Sequence, residues 1–207
     1  MRLAILGASG HGNVVADMAL LLGYTDVIFF DDAWPSKSRF SRWSVVGTTE
    51  TLLGSVTDFD AVIVGIGDNR TRLEKQALLA TNGAPLVSLV HPAAAVSNFA
   101  QIGEGSVIFA GAVVNVDAVL SAAVIVNTGA TIDHDCRLAD GAHIAPGAHL
   151  SGDVHVGASS WVGVGACVKQ GVHIGSGVMV FADAVVVSNI PDRVSVVGIP
   201  ARPIAGK

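Results

Sequence analysis

At 207 residues, 51% of them hydrophobic, the chain has ample material for one or two buried cores. A formal net charge of -5 with no Lys/Arg-rich run excludes a broad nucleic-acid-binding or anionic-membrane surface, while a local basic pocket could still hold a small anion. The opening MRLAILGASGHG lacks the long apolar stretch of a signal peptide, and no run approaches the roughly 18 apolar residues of a membrane span, so a cytoplasmic protein is expected.

Residues 2 to 95 read as a small α/β unit. Arg2 to Leu6 is a short apolar strand, followed by the loop Gly7-Ala8-Ser9-Gly10-His11-Gly12 and a helix over Asn13 to Leu22 that closes at Gly23. Val27 to Phe30 is a second buried strand ending at Asp31-Asp32. Ala61 to Ile66 is a third, running into Gly67-Asp68-Asn69, with a helix over Arg70 to Ala80. Pro85 to Val90 is a fourth strand, and the proline of His91-Pro92 favours an extended corner. The boundary is placed at residue 92, giving a small Rossmann-like domain over 1–92 and a second domain with a C-terminal tail over 93–207. Alternating strands and helices imply a parallel sheet, whose ligands sit beyond the carboxyl ends of its strands.

From Val96 to Pro191 the chain repeats every six residues, and every first position, from Val96 and Ile102 through Val180 and Val186, is aliphatic. The fifth position is small or β-branched nearly as strictly. A helix of period 3.6 cannot keep a six-residue stripe on one face, whereas short strands joined by corners can. The fold class is therefore α/β plus β-solenoid. Three hexads make one triangular coil, so residues eighteen apart stack about 4.8 Å from each other. His134 stacks with Gly152, Val164 with Ala182, and Arg137 with His155 and His173. The segment Gly198 to Pro203 breaks the period and is expected to leave the prism.

The glycine loop follows a strand and opens a helix, so its amides and the helix dipole could hold a phosphate. Its glycines at 7, 10 and 12 do not have the dinucleotide spacing, which favours nucleotide binding without hydride transfer. Asp31 and Asp32 are placed to accept hydrogen bonds from a ribose or amino group; an ordinary βα turn with solvated acids has the same pattern.

In the second region polar residues concentrate in Asn127-Thr128-Gly129-Ala130-Thr131-Ile132-Asp133-His134-Asp135-Cys136. A histidine can take a proton from an attacking amine, and a neighbouring carboxylate fixes its tautomer. Adjacent strand residues point to opposite faces, so His134 and Asp135 can pair only at a corner or across a subunit interface; an exposed histidine on a polar corner is the plain alternative. His143, His149, His155 and His173 share the sixth hexad position, a pattern of exposed coil edges. Stacked His155 and His173 could share an ion, but the ligand spacing of a histidine zinc site is missing and no metal is expected. Cys136 falls at an inward position, Cys167 does not, and both read as reduced thiols without metal-ligand spacing.

These motifs, with Phe30-Asp31-Asp32, Gly65-Ile66-Gly67-Asp68-Asn69 and the terminal Gly198-Ile199-Pro200-Ala201, resemble the left-handed β-helix (hexapeptide-repeat) sugar acetyltransferases. The whole chain is similar to those related to the bacillosamine-pathway N-acetyltransferases and the sialic acid O-acetyltransferases. The resemblance implies a left-handed parallel β-helix and acetyl-CoA as co-substrate. The acceptor is a UDP- or GDP-linked amino sugar of the 4-amino-4,6-dideoxy type; O-acetylation of sialic acid or a non-catalytic sugar-nucleotide scaffold are its rivals. By the same resemblance, His134 is the general base, Asp135 raises its basicity where relatives often carry Glu, and Asn127 lies near the reacting amine. His143, Gly163, Val164 and Ala182 line the acetyl-CoA groove, and Ser9, Gly10, His11, Asp31, Asp32, Gly67 and Asn69 form the nucleotide-sugar pocket. The resemblance further implies a homotrimer with active sites between subunits, and neither a nucleic-acid partner nor a membrane span.

Overall fold

The computed structural model describes residues 1–204 and divides into two units, Met1–His91 and Pro92–Lys207. The last three residues of the expected C-terminal tail lie outside the described residues.

The first unit runs β1 (Arg2–Leu6), α1 (Gly10–Leu21), β2 (Asp26–Phe30), β3 (Arg39–Phe40), β4 (Trp43–Gly47), α2 (Thr49–Leu53), β5 (Ala61–Val64) and α3 (Asn69–Thr81). The sheet order is β3-β4-β2-β1-β5, parallel except for the β3–β4 hairpin. β1 lies between β2 and β5, and its Leu3, Ala4 and Ile5 are fully buried, as a parallel strand covered on both faces requires. The first helix starts at Gly10, three residues before the expected Asn13. Ser9 caps it by accepting from the Gly12 amide, so Gly10 and Gly12 belong to the first helical turn rather than to a loop. Gly12 is there for close approach: a β-carbon on Gly65 would lie 2.8 Å from the Gly12 α-carbon. The third strand ends at Val64, and of the expected fourth strand only a bridge from Leu86 to Val62 joins this sheet. Pro85 has no amide to donate to a ladder. The β3–β4 hairpin and α2 are additions that the sequence pattern did not reveal.

The second unit is the expected left-handed parallel β-helix. Two-residue strands recur every six residues and stack in parallel on the strand eighteen positions away, as Thr131–Ile132 does on Val113–Val114 below and His149–Leu150 above. One sheet contains Thr131 and His149, a second contains Arg137, His155 and His173, and a third contains Ile125, His143 and Trp161. First-position side chains fill the prism, with Val126, Ile132, Ile144 and Val162 all fully buried. Buried fifth-position hydroxyls are satisfied: Ser160 Oγ donates to the Gly175 carbonyl and accepts from the Val178 amide.

From Gly105 to Asp183 every fourth hexad position has φ between 56° and 71°, the left-handed conformation that turns each corner. Glycine and aspartate dominate those positions because a short polar side chain tolerates that conformation.

The end of the chain departs from expectation. Ser195–Val197 stays in the stack as a parallel neighbour of Met179–Val180, and Arg202–Ile204 folds back antiparallel against it. The tail thus remains on the prism and covers an edge whose amides and carbonyls would otherwise be unpaired.

Candidate active site

The solenoid places Asp133, His134 and Asp135 on one corner, directly after the strand Thr131–Ile132. Asp135 occupies the left-handed fourth position, with φ 62°. That turn brings two adjacent side chains together where a straight strand would separate them. His134 Nδ1 lies 2.7 Å from Asp135 Oδ2, and the two side chains are 50% and 57% exposed. The aspartate therefore reaches the imidazole, and the corner's backbone explains why a short acid suits the position. Asp133 Oδ1 accepts from the His134 amide and from Asn115 Nδ2, both at 2.9 Å. The Asp135 contact, followed by the charges of Asp133, Asp135 and Asp153, holds the His134 pKa above its ordinary value.

Asn127 and His143 form a second pair. Asn127 Nδ2 lies 3.2 Å from His143 Nε2, and His143 stacks on Trp161 with ring centroids 3.8 Å apart. His143 is buried, unlike the exposed coil-edge residue its periodic position suggested, whereas His149 and His173 are exposed. Asn127 sits at the corner before strand Thr131–Ile132 and His134 at the corner after it, so one chain separates the two pairs by a face of the prism. Val164 and Ala182 are both exposed at stacked corner positions. Gly163 is buried, and a β-carbon there would meet the Val180 carbonyl oxygen at 2.6 Å, so coil stacking alone demands glycine.

Cys136 is fully buried; its thiol donates to the Ser151 carbonyl, and burial pushes its pKa up to about 11. It is not a nucleophile. His155 and His173 rings lie 4.3 Å apart, with Asp153 Oδ1 3.3 Å from His155 Nε2. Among the described residues no group of three His, Cys, Asp or Glu side chains could hold a metal ion.

In the first unit a pocket of about 230 Å³ lies at the carboxyl ends of β1 and β2, lined by Gly7, Ala8, Ser9, Asp31, Asp32, Lys37, Thr71 and Lys75 among others. Its acids are engaged within the fold. Asp31 accepts from the Ala8 amide at 2.9 Å, the Ala33 amide at 3.0 Å and Lys37 Nζ at 3.1 Å. Asp32 accepts from the Thr49 amide and Lys75 Nζ, both at 2.7 Å. Burial works to raise both carboxyls, but these donors outweigh it and hold them below the ordinary carboxylate range.

Ser9 Oγ donates to the Gly65 carbonyl at 2.9 Å, and Gly10 has open space around it. His11 is pushed down to about 4 by burial and then by the Arg72 charge, so it is neutral at physiological pH. Asn69 is buried and accepts from the equally buried Arg72, whose guanidinium also donates to the carbonyls of Ile66 and Gly67. Sequence reasoning missed Lys37, Lys75 and Arg72: they lie outside any motif, and only folding brings them to the strand ends.

A left-handed β-helix with a histidine–carboxylate pair on an exposed corner, in a chain that also carries a glycine-loop pocket, defines a hexapeptide-repeat acyltransferase. Residues 2–78 match the PglD N-terminal domain. Over 115 residues the chain is 35% identical to UDP-N-acetylbacillosamine N-acetyltransferase of Bacillus subtilis (strain 168), a match spanning 53% of this chain and 51% of that protein. The acetyltransferase domain of PglB from Neisseria gonorrhoeae, solved with acetyl coenzyme A, is 47% identical, with 98% of each chain covered and a TM-score of 0.93. PerB from Caulobacter crescentus, solved with CoA and GDP-perosamine, is 35% identical, covering 99% of this chain and 98% of that one with a TM-score of 0.93. The chain belongs to this family of PglD-like sugar acetyltransferases. No helix among the described residues is long and apolar enough to cross a membrane.

Proposed function

We propose that the protein transfers the acetyl group of acetyl-CoA to the amino group of a nucleotide-linked amino sugar, with His134 as general base. The observation that carries this reading is the 2.7 Å contact between His134 Nδ1 and Asp135 on a half-exposed corner. A proton held on Nδ1 by the carboxylate leaves the Nε2 lone pair to take the acceptor's proton. The amine nitrogen then attacks the thioester carbonyl carbon, backbone amides stabilise the oxyanion, and the carbon–sulfur bond breaks to release coenzyme A. Transfer is direct, and no covalent enzyme intermediate forms. The acids Asp133, Asp135 and Asp153 around His134 favour an approaching ammonium group over a neutral hydroxyl. PerB, bound to CoA and GDP-perosamine, supports the substrate class.

Asn127 lies near the reacting amine, His143 serves the acetyl-CoA side, and exposed Val164 and Ala182, with Gly163, line the path of the coenzyme. Ser9, Gly10, His11, Asp31, Asp32, Gly67 and Asn69 make the nucleotide-sugar pocket, joined by Lys37 and Lys75 as its cations. Because one chain separates His134 from Asn127 and His143 by a prism face, we read the enzyme as a cytoplasmic homotrimer in which one copy's corner meets the other pair of its neighbour. Acetyl-CoA is a co-substrate, and no metal takes part.

Incubation with acetyl-CoA and a panel of UDP- and GDP-linked amino sugars beside sialic acid tests the proposal. Acetylation of at least one nucleotide-linked amine is expected. Acetylation of sialic acid alone would replace this reading with O-acetylation, and acetylation of nothing on the panel would leave a binding scaffold.

A further inference from the structure

Gly152 occupies the third position of its hexad, stacked one coil above His134. The same column holds Asn98, Val116 and Gln170, so the solenoid accepts side chains at this position. The Gly152 backbone is not in the left-handed region either, and nothing in its conformation requires glycine. A β-carbon there would lie 2.6 Å from both Cε1 and Nε2 of His134 and 3.2 Å from Cδ2, and these ring atoms are its three nearest neighbours. At Gly163 the obstacle is instead backbone, the Val180 carbonyl oxygen, and at Gly157 the Gly175 carbonyl, whereas at Gly165 and Gly175 the nearest atom is a carboxylate oxygen of Asp183 or Asp192.

We propose that Gly152 is a positioning residue for the base: the missing side chain lets the imidazole lie against the next coil with Nδ1 on Asp135 and Nε2 clear to take a proton. The inference rests on His134 being the base. The ring cannot move away from a methyl group at 152 without turning about the bonds that place Nδ1 at Asp135, because the corner backbone is tied down. The His134 amide donates to Asp133, its carbonyl accepts from the Asp153 amide at 2.9 Å, and the Asp135 amide donates to the Val116 carbonyl. The charged groups around the ring are Asp133, Asp135 and Asp153.

Gly152→Ala separates this role from a structural one. At an ordinary φ the substitution restricts the unfolded chain and leaves the folded chain with one displaced ring, so the melting temperature should not fall. A base displaced by about 1 Å costs on the order of a hundredfold in rate, so kcat should drop by about that factor while KM for both substrates changes little. With the Asp135 contact weakened, the acid limb of the kcat–pH profile should move to lower pH, a shift that a purely structural role would not produce. Full kcat in Gly152→Ala would overturn the proposal. So would a rate loss with an unshifted limb, or one accompanied by a lower melting temperature. His134→Ala, measured alongside, distinguishes the two failures: if it keeps its rate, the reading of His134 falls; if only Gly152→Ala keeps its rate, this inference alone falls.

Discussion

The two units handle polar side chains in opposite ways. In the α/β unit, the residues that line the pocket also build it: Ser9 caps α1, Asp31 holds the Ala8 amide, Asp32 holds Thr49, and Asn69 is tied to buried Arg72. In the solenoid, the aliphatic first positions and the coil-to-coil amide ladder hold the fold, so a corner side chain such as His134 carries no packing duty. Chemistry can change at a solenoid corner without touching the core, whereas a change in the α/β pocket disturbs binding and stability together.

That contrast predicts a graded set of outcomes. The largest is His134→Ala, which should lose at least about a hundredfold in kcat, the usual scale for a general base, with an unchanged melting temperature. Steady-state kinetics beside a thermal melt checks both halves, and a drop in melting temperature would break the comparison. Asp31→Ala comes next. It leaves the Ala8 amide and Lys37 without their acceptor, so stability should fall by about 1–3 kcal/mol while KM for the nucleotide sugar rises, with KM for acetyl-CoA unchanged.

Asp135→Asn should give a smaller but directional change. His134 works as a base only when neutral, and its raised pKa moves the acid limb of the rate profile to higher pH; removing the carboxylate should bring that limb back to lower pH. A pH series of kcat reads the shift directly. The smallest effect belongs to Arg70→Ala, which breaks an exposed pair with Glu74 whose side chains are 87% and 62% exposed. Such pairs contribute at most about 0.5 kcal/mol, so a thermal melt should barely register the change.

The solenoid was legible in the sequence because two side chains in every six, the first and the fifth, must point inward, and a misplaced charge there would sit unpaired in the core. Its corners were readable for the same reason, down to Cys136 lying inside. The His134–Asp135 contact was not derivable from strand alternation, since it depends on the left-handed backbone of Asp135. Nor was the burial of His143, which follows from its stack on Trp161 in the next coil. In the first unit, β1, α1, β2 and α3 announced themselves through apolar runs and capping residues. The hairpin Arg39–Phe40 with Trp43–Gly47 and the cations Lys37 and Lys75 did not: a short edge hairpin has little periodicity, and a lysine's position over a pocket is set by tertiary folding.

The central claim is that a corner histidine of the solenoid drives acetyl transfer to a sugar amine. Its most direct test takes the nucleotide-linked amino sugar that the protein acetylates and compares it with the analogue bearing a hydroxyl in place of the amine, each incubated with acetyl-CoA and followed by mass spectrometry. The account predicts one added acetyl group on the amine, none on the hydroxyl analogue, and a rate at least about a hundredfold lower for His134→Ala. Equal turnover of the two acceptors, or an unchanged rate in the variant, would contradict it.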